Sequence, residues 1–163
     1  MRALLALLAR HGPAAYARTT FDPGHVTSSA FIVARDTGRV LLHRHRRFGT
    51  WMQFGGHDEG EHDPCATALR EAREESGIVD LSFVSQTPLD IDVHAIAATE
   101  REPAHLHHDV RFLFVTPVEI ASSPLGVDES TDLAWLSLAD AAARGDEGIR
   151  RALRKIRPLL YPA

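Results

Sequence analysis

Apolar positions in this chain fall into short β-branched runs, interrupted by three stretches with helical spacing. HVTSSAFIVA at residues 25–34 reads as a strand, Asp36-Thr37-Gly38 supplies a turn, and RVLLHRHR at 39–46 reads as the hairpin partner. WMQFGG at 51–56 predicts a short strand. LDIDVHAIAA at 89–98 alternates, LHHDVRFLFVTP at 106–117 is a stronger strand, and LAWLSL at 133–138 is the last. Leu4, Leu5 and Leu8 share one face of a short amphipathic helix within residues 1–17. A second helix opens at Asp63-Pro64, where Asp63 can cap free amides and Pro64 suits the first helical position, and Gly77 stops it. Residues 137–160 predict one or two helices, the second basic and amphipathic. The order is that of a mixed α/β protein, and periodicity alone leaves the particular fold open.

Composition narrows the picture modestly. The 163 residues, 44% hydrophobic and 25% charged, suit one compact domain over 1–163 that buries a core without staples. Cys65 is the one cysteine, which excludes an internal disulfide and a cysteine metal cluster. A net charge of −4 gives no basic footprint, so a nucleic-acid duplex is not the expected partner. No run reaches the ~18 apolar residues of a membrane span. The start loosely imitates a secretory signal, with Ala15-Tyr16-Ala17 as a cleavage site, but Arg10 and His11 interrupt it. A docked helix and a cytoplasmic protein are the expectation.

The helix after Pro64 changes the picture most. Glu71 and Glu75 lie one turn apart and Glu74 sits beside them, an arrangement that repels itself unless a cation is near. Cys65, Ala68, Leu69 and Ala72 line another face and look packed, with the thiol inert, and Arg70 can pair with Glu74. A solvated face is the ordinary explanation of REAREE. The frame around it is not ordinary: Gly55-Gly56 upstream, Arg70-Glu71 fourteen residues after Gly56, then Glu74-Glu75 and Gly77-Ile78.

At these residues the chain resembles the Nudix hydrolases, whose box runs G-x5-E-x7-R-E-U-x-E-E-x-G-U with U aliphatic. Gly56, Arg70, Glu71, Ala72, Glu74, Glu75, Gly77 and Ile78 fall in register. The early box glutamate is replaced by His62, with Glu61 one residue too soon. The resemblance implies an α/β/α sandwich with a mixed central sheet, here with a short N-terminal helix and C-terminal helices. It implies hydrolysis of a diphosphate joined to another moiety, usually a nucleoside, with Mg2+ or Mn2+ as cofactor. Glu71 and Glu75 would be ligands with the Gly55 carbonyl, and Glu74 would hold a second ion or its water. Arg70 would orient the glutamates. The general base would be Glu129, in the DEST stretch with Asp128 and Asp132, or else Glu71.

Substrate contacts are less sharply marked. Arg44, Arg46 and Arg47, with His43 and His45, could meet phosphates or simply end a hairpin. Trp51, Phe48 and Phe54 could stack a base or pack the core, and Trp135 reads as packing. His57, next to the glycine pair, could contact phosphate or cap its loop. His105, His107 and His108 beside Asp109 invite a metal, although His107 and His108 would face opposite sides of a strand. Two rival functions remain open: a catalytically weak nucleotide-sensing module, for which His62 speaks, and an isoprenoid-diphosphate isomerase, against which the position of Cys65 speaks. The partner expected is a small phosphate-containing molecule, and the resemblance also allows a homodimer.

Overall fold

The computed structural model describes residues 1–119 and 130–161. Its framework is β1 (Gly24–Ala34) laid parallel to β7 (His105–Thr116), in register from Gly24 opposite Leu106 to Ala34 opposite Thr116. β2 (Val40–His45) and β4 (Phe54–His57) pair antiparallel with β1 at its two ends. β6 (Asp90–Ile96) and β5 (Ser82–Phe83) pair antiparallel with β7. β3 (Trp51–Met52) and β8 (Ser130–Leu136) both pair with β2, completing a mixed eight-stranded sheet.

Strand alternation divides the core in two. Val26, Ala30 and Ile32 of β1 join Phe54, Val110, Phe112 and Phe114 beneath α2 (Pro64–Ser76) and the N-terminal α1 (Arg2–His11). Phe31 and Val33 face the other way, joining Leu113, Val115 and the apolar side of α3 (Leu138–Arg144) and α4 (Glu147–Leu160). The result is the expected α/β/α sandwich. The C-terminal segment forms two helices because Gly145 and Asp146 intervene, Asp146 capping the second by accepting from the Ile149 amide at 2.8 Å.

Two local expectations need correction, and one strand had no signal in the sequence. The buried seam of α1 is Leu4 and Leu7 with Leu8 packed beside them, while Leu5 is exposed, because i, i+3, i+4 positions dock. The stretch 51–56 is two strands: β3 pairs with β2, and β4 crosses to β1, with Gln53 at the change of partner. β5 is too short to show a period.

Charge also holds this architecture together. Arg111 of β7 is buried and donates from Nε to Asp109 at 2.8 Å and from an Nη to Asp92 at 3.1 Å. Arg151 of α4 bonds Asp90 and Asp92 at 2.7 and 2.6 Å, and Lys155 reaches Asp90 at 2.7 Å. Asp109 further accepts from Ser29 Oγ at 2.8 Å. This lattice pins α4 to the strands β6 and β7.

Candidate active site

α2 begins and ends as its sequence dictates. Asp63 accepts from the amides of Cys65 and Ala66, and Gly77 closes the helix in the left-handed region at φ 72°. Ala68 and Ala72 are fully buried against the sheet with Cys65 and Leu69 beside them, and burial pushes the Cys65 thiol up. The opposite edge turns Glu71 and Glu75 toward β4.

Two backbone groups and one arginine set the carboxylates. The Gly55 amide donates to Glu75 Oε2 at 2.8 Å, and Glu75 is 5% exposed. Glu71 lies over Gly56 so closely that a Cβ there would stand 2.3 Å from Oε1. Burial raises the Glu71 carboxyl above its ordinary value, against the opposing pull of Arg70. Arg70 bonds Glu61 at 2.6 Å, Glu71 at 2.9 Å, Glu74 at 3.1 Å and the His57 carbonyl at 2.8 Å. It thus ties the loop, the strand and the helix into one unit.

The loop accounts for the departure at His62. Glu61, one position early, bonds Arg70, which holds its carboxyl down at about 2. His62 instead takes a left-handed conformation at φ 50°, its amide donating to Asp58 and its ring packed edge-on against Tyr16. Glu61 therefore occupies the arginine contact from the neighbouring position.

The groups brought to Gly55 and Gly56 are the carboxylates of Glu75 and Glu71, and Glu74 is tied to them through Arg70. Such a set suits a hard divalent ion of the magnesium type. The absence of a Cβ at Gly56 gives Glu71 its place. Replacing Gly56 with alanine is expected to displace that carboxylate and weaken divalent-cation binding about 10-fold. Circular dichroism would show the fold retained while a Mg2+ titration followed by thermal shift shows the loss.

The other residues singled out in the sequence are placed as follows. Arg44 donates to the Gly49 carbonyl at 3.1 Å, and Arg46 and Arg47 lie in the exposed β2–β3 turn, Arg47 over Phe48. Trp51 is half-buried against the second core with Arg144 over its ring, and Phe54 is wholly buried. Trp135 packs against the first core. His43 is buried and bonds Ser130 Oγ, and burial followed by the nearby His45 pushes its imidazole down to about 4. Asp132 sits in β8, while Asp128 and Glu129 lie outside the described residues.

The histidines regroup. His108 turns into the sheet's buried interior, whereas His107 meets His25 and His57. The sequence signal for that meeting was weak, because the three lie far apart along the chain. Beside them, Thr27, Ser29, Gln53 and Asp109 form a hydrogen-bonded polar floor on the sheet face opposite α2.

The sequence matches the family model of the NUDIX domain over residues 24–156. The chain belongs to the NUDIX family. No curated protein matched it at the significance required. Among solved structures it is similar to a Caenorhabditis elegans Ap4A hydrolase binary complex, with TM-score 0.65 and 19% identity, covering 83% of this chain and 96% of that one. It is likewise similar to a NUDIX-family hydrolase from Clostridium perfringens, with TM-score 0.65, 26% identity and coverage of 83% and 97%. A third is the Escherichia coli dihydroneopterin triphosphate pyrophosphohydrolase, with TM-score 0.63, 22% identity and coverage of 80% and 92%. The NUDIX fold thus spans most of this chain, and no described helix is long and apolar enough to cross a membrane.

Proposed function

We propose that this NUDIX protein is a magnesium- or manganese-dependent pyrophosphohydrolase that cleaves a diphosphate linkage in a nucleotide, dinucleotide or nucleotide sugar. The observation that carries the reading is the convergence of Glu71 and Glu75 on Gly55-Gly56, braced by Arg70. Similar folds include proteins named for hydrolysis of Ap4A and of dihydroneopterin triphosphate, both phosphoanhydrides, which supports the same substrate class here. A bound Mg2+ would supply charge neutralisation of the diphosphate and of the leaving oxygen.

The chain's own residues do the remainder. Glu71, Glu75 and the Gly55 carbonyl hold the cation, and Glu74, the most exposed of the three carboxylates, takes a second ion or an ordered water. Arg70 fixes the carboxylates without touching substrate. Glu129 accepts the proton of the attacking water, with Glu71 as the second candidate. Arg44, Arg46 and Arg47 contact phosphates, and Trp51 borders the base or sugar.

Chromatographic product analysis tests this on nucleoside di- and triphosphates, dinucleotides and nucleotide sugars, with Mg2+ and with a chelator. Metal-dependent cleavage within a diphosphate is the expected result. Nucleotide-induced thermal stabilisation without turnover on any substrate would instead make the protein a sensor. Glu129→Gln is expected to lose turnover yet keep the Mg2+-induced thermal shift, and Glu71→Gln to lose both.

A further inference from the structure

Register brings three histidines from three strands to one point. His25 stands directly opposite His107 in the parallel β1–β7 pair, and His57 of β4 stands opposite Thr27. One ligand nitrogen from each of His25, His57 and His107 lies within 4.8 Å of the other two. Their ring centroids form a closed triangle with sides of 5.0, 4.9 and 5.2 Å.

His25 is oriented through one ring nitrogen, and its other nitrogen is left toward the cluster. His25 is fully buried, and its Nδ1 faces the Thr20 carbonyl at 3.0 Å, which places the proton there and leaves Nε2 a lone pair. That Nε2 is buried and has no hydrogen-bond partner among the described residues. A carbonyl behind one ring nitrogen is the support that orients a metal-binding imidazole. His105, stacked on His25 at 4.9 Å and itself held by the Pro103 carbonyl, closes one side of the cluster. Burial lowers the imidazoles of His25, His57 and His107 and so favours their neutral form, the one that donates to a metal.

We infer that His25, His57 and His107 form a binding site for a borderline divalent transition-metal ion of the zinc type, with a coordination position open to water or a phosphate oxygen. Nitrogen donors select Zn2+, Co2+ or Ni2+ over Mg2+. With metal–nitrogen bonds of ~2.0–2.1 Å, tetrahedral ligands stand about 3.4 Å apart, so the rings close by no more than roughly 1.4 Å on binding. Three histidines and an open position is also the ligand count of a zinc centre that accepts an exogenous ligand.

This site is separate from the carboxylates. α2 brings Glu71 to Gly56 from the side of the first core, whereas the His57 side chain stands with Thr27 on the opposite face. The two are linked through β4, where Arg70 bonds the His57 carbonyl.

The test is a titration of the chelator-stripped full chain with Co2+ and Zn2+, followed by visible absorption and calorimetry. Wild type, Glu75→Gln, His107→Gln and His57→Asn are compared, each checked for folding by circular dichroism. The expected result is a strong four-coordinate cobalt band, displaced by zinc, that persists in Glu75→Gln and weakens at least about 100-fold in either histidine variant. If one histidine variant does not fold, the other and the band in Glu75→Gln still decide. No cobalt band in wild type, binding unchanged in the folded histidine variants, or binding lost in Glu75→Gln alone would overturn the assignment.

Discussion

Glu75→Gln is expected to lower turnover about 1,000-fold while leaving the protein folded. Glutamine keeps an oxygen for the Gly55 amide that now bonds Glu75 at 2.8 Å, so the link from α2 to β4 survives. What disappears is the negative charge of the buried Glu75, one helical turn from Glu71. The free protein is therefore expected to stay folded, because the contact with Gly55 is kept. The bound cation loses an anionic ligand, and several kcal/mol of charge stabilisation in the transition state correspond to about three powers of ten in rate. Steady-state kinetics, with a thermal melt in the presence and absence of Mg2+, check both halves. The stabilisation by Mg2+ should vanish together with turnover. A variant retaining turnover within a few-fold would remove Glu75 from the site.

Asp109→Ala should be the most damaging change to stability, at about 4 kcal/mol. Asp109 is 3% exposed and accepts from Arg111 Nε and Ser29 Oγ, both at 2.8 Å. Removing it leaves Arg111 buried with Asp92 as its remaining hydrogen-bonded carboxylate, and one Nη already has no hydrogen-bond partner among the described residues. For a protein of this size the loss should appear as a fall of about 8–16 °C in Tm. Arg154→Ala, which removes the exposed pair with Glu147, should leave Tm nearly unchanged.

The same network gives a pH dependence. Burial alone would raise Asp90 and Asp92, but hydrogen bonds from Arg151, joined by Lys155 at Asp90 and by the charge of Arg111 at Asp92, hold both below the ordinary carboxylate value. Carboxyls lowered by folding stabilise fully above the unfolded value, near 4, and lose that contribution as pH falls through the folded value. Melts between about pH 7 and pH 3 should therefore show Tm falling mainly at the acid end. A Tm that rises on acidification would contradict the sign.

How much of this was legible depended on how local each signal was. α2 could be read because its cap, first proline, apolar side and final glycine all lie within fifteen residues, Asp63 to Gly77. The carboxylate spacing came with it, as did the long strands β1 and β7. The break between β3 and β4 could not be read, since Gln53 sits in an unremarkable apolar run and only the change of partner reveals it. Asp90, Asp92, Asp109 and Arg111 did leave a trace: charges at alternate positions in apolar strands point to one face, and opposite signs there announce a buried pair. The histidine triangle depends on registers among β1, β4 and β7, which no local pattern encodes. Reading His105, His107 and His108 as a group followed sequence adjacency, whereas strand alternation sends His108 to the other side.

The most direct test of the central claim is product analysis in isotopically labelled water, using whichever diphosphate the protein turns over with Mg2+. The account predicts label in one phosphate-bearing product, release that stops with chelator, and release about 1,000-fold slower by Glu75→Gln. Turnover that leaves the diphosphate intact, or products without label, would contradict hydrolysis at these carboxylates.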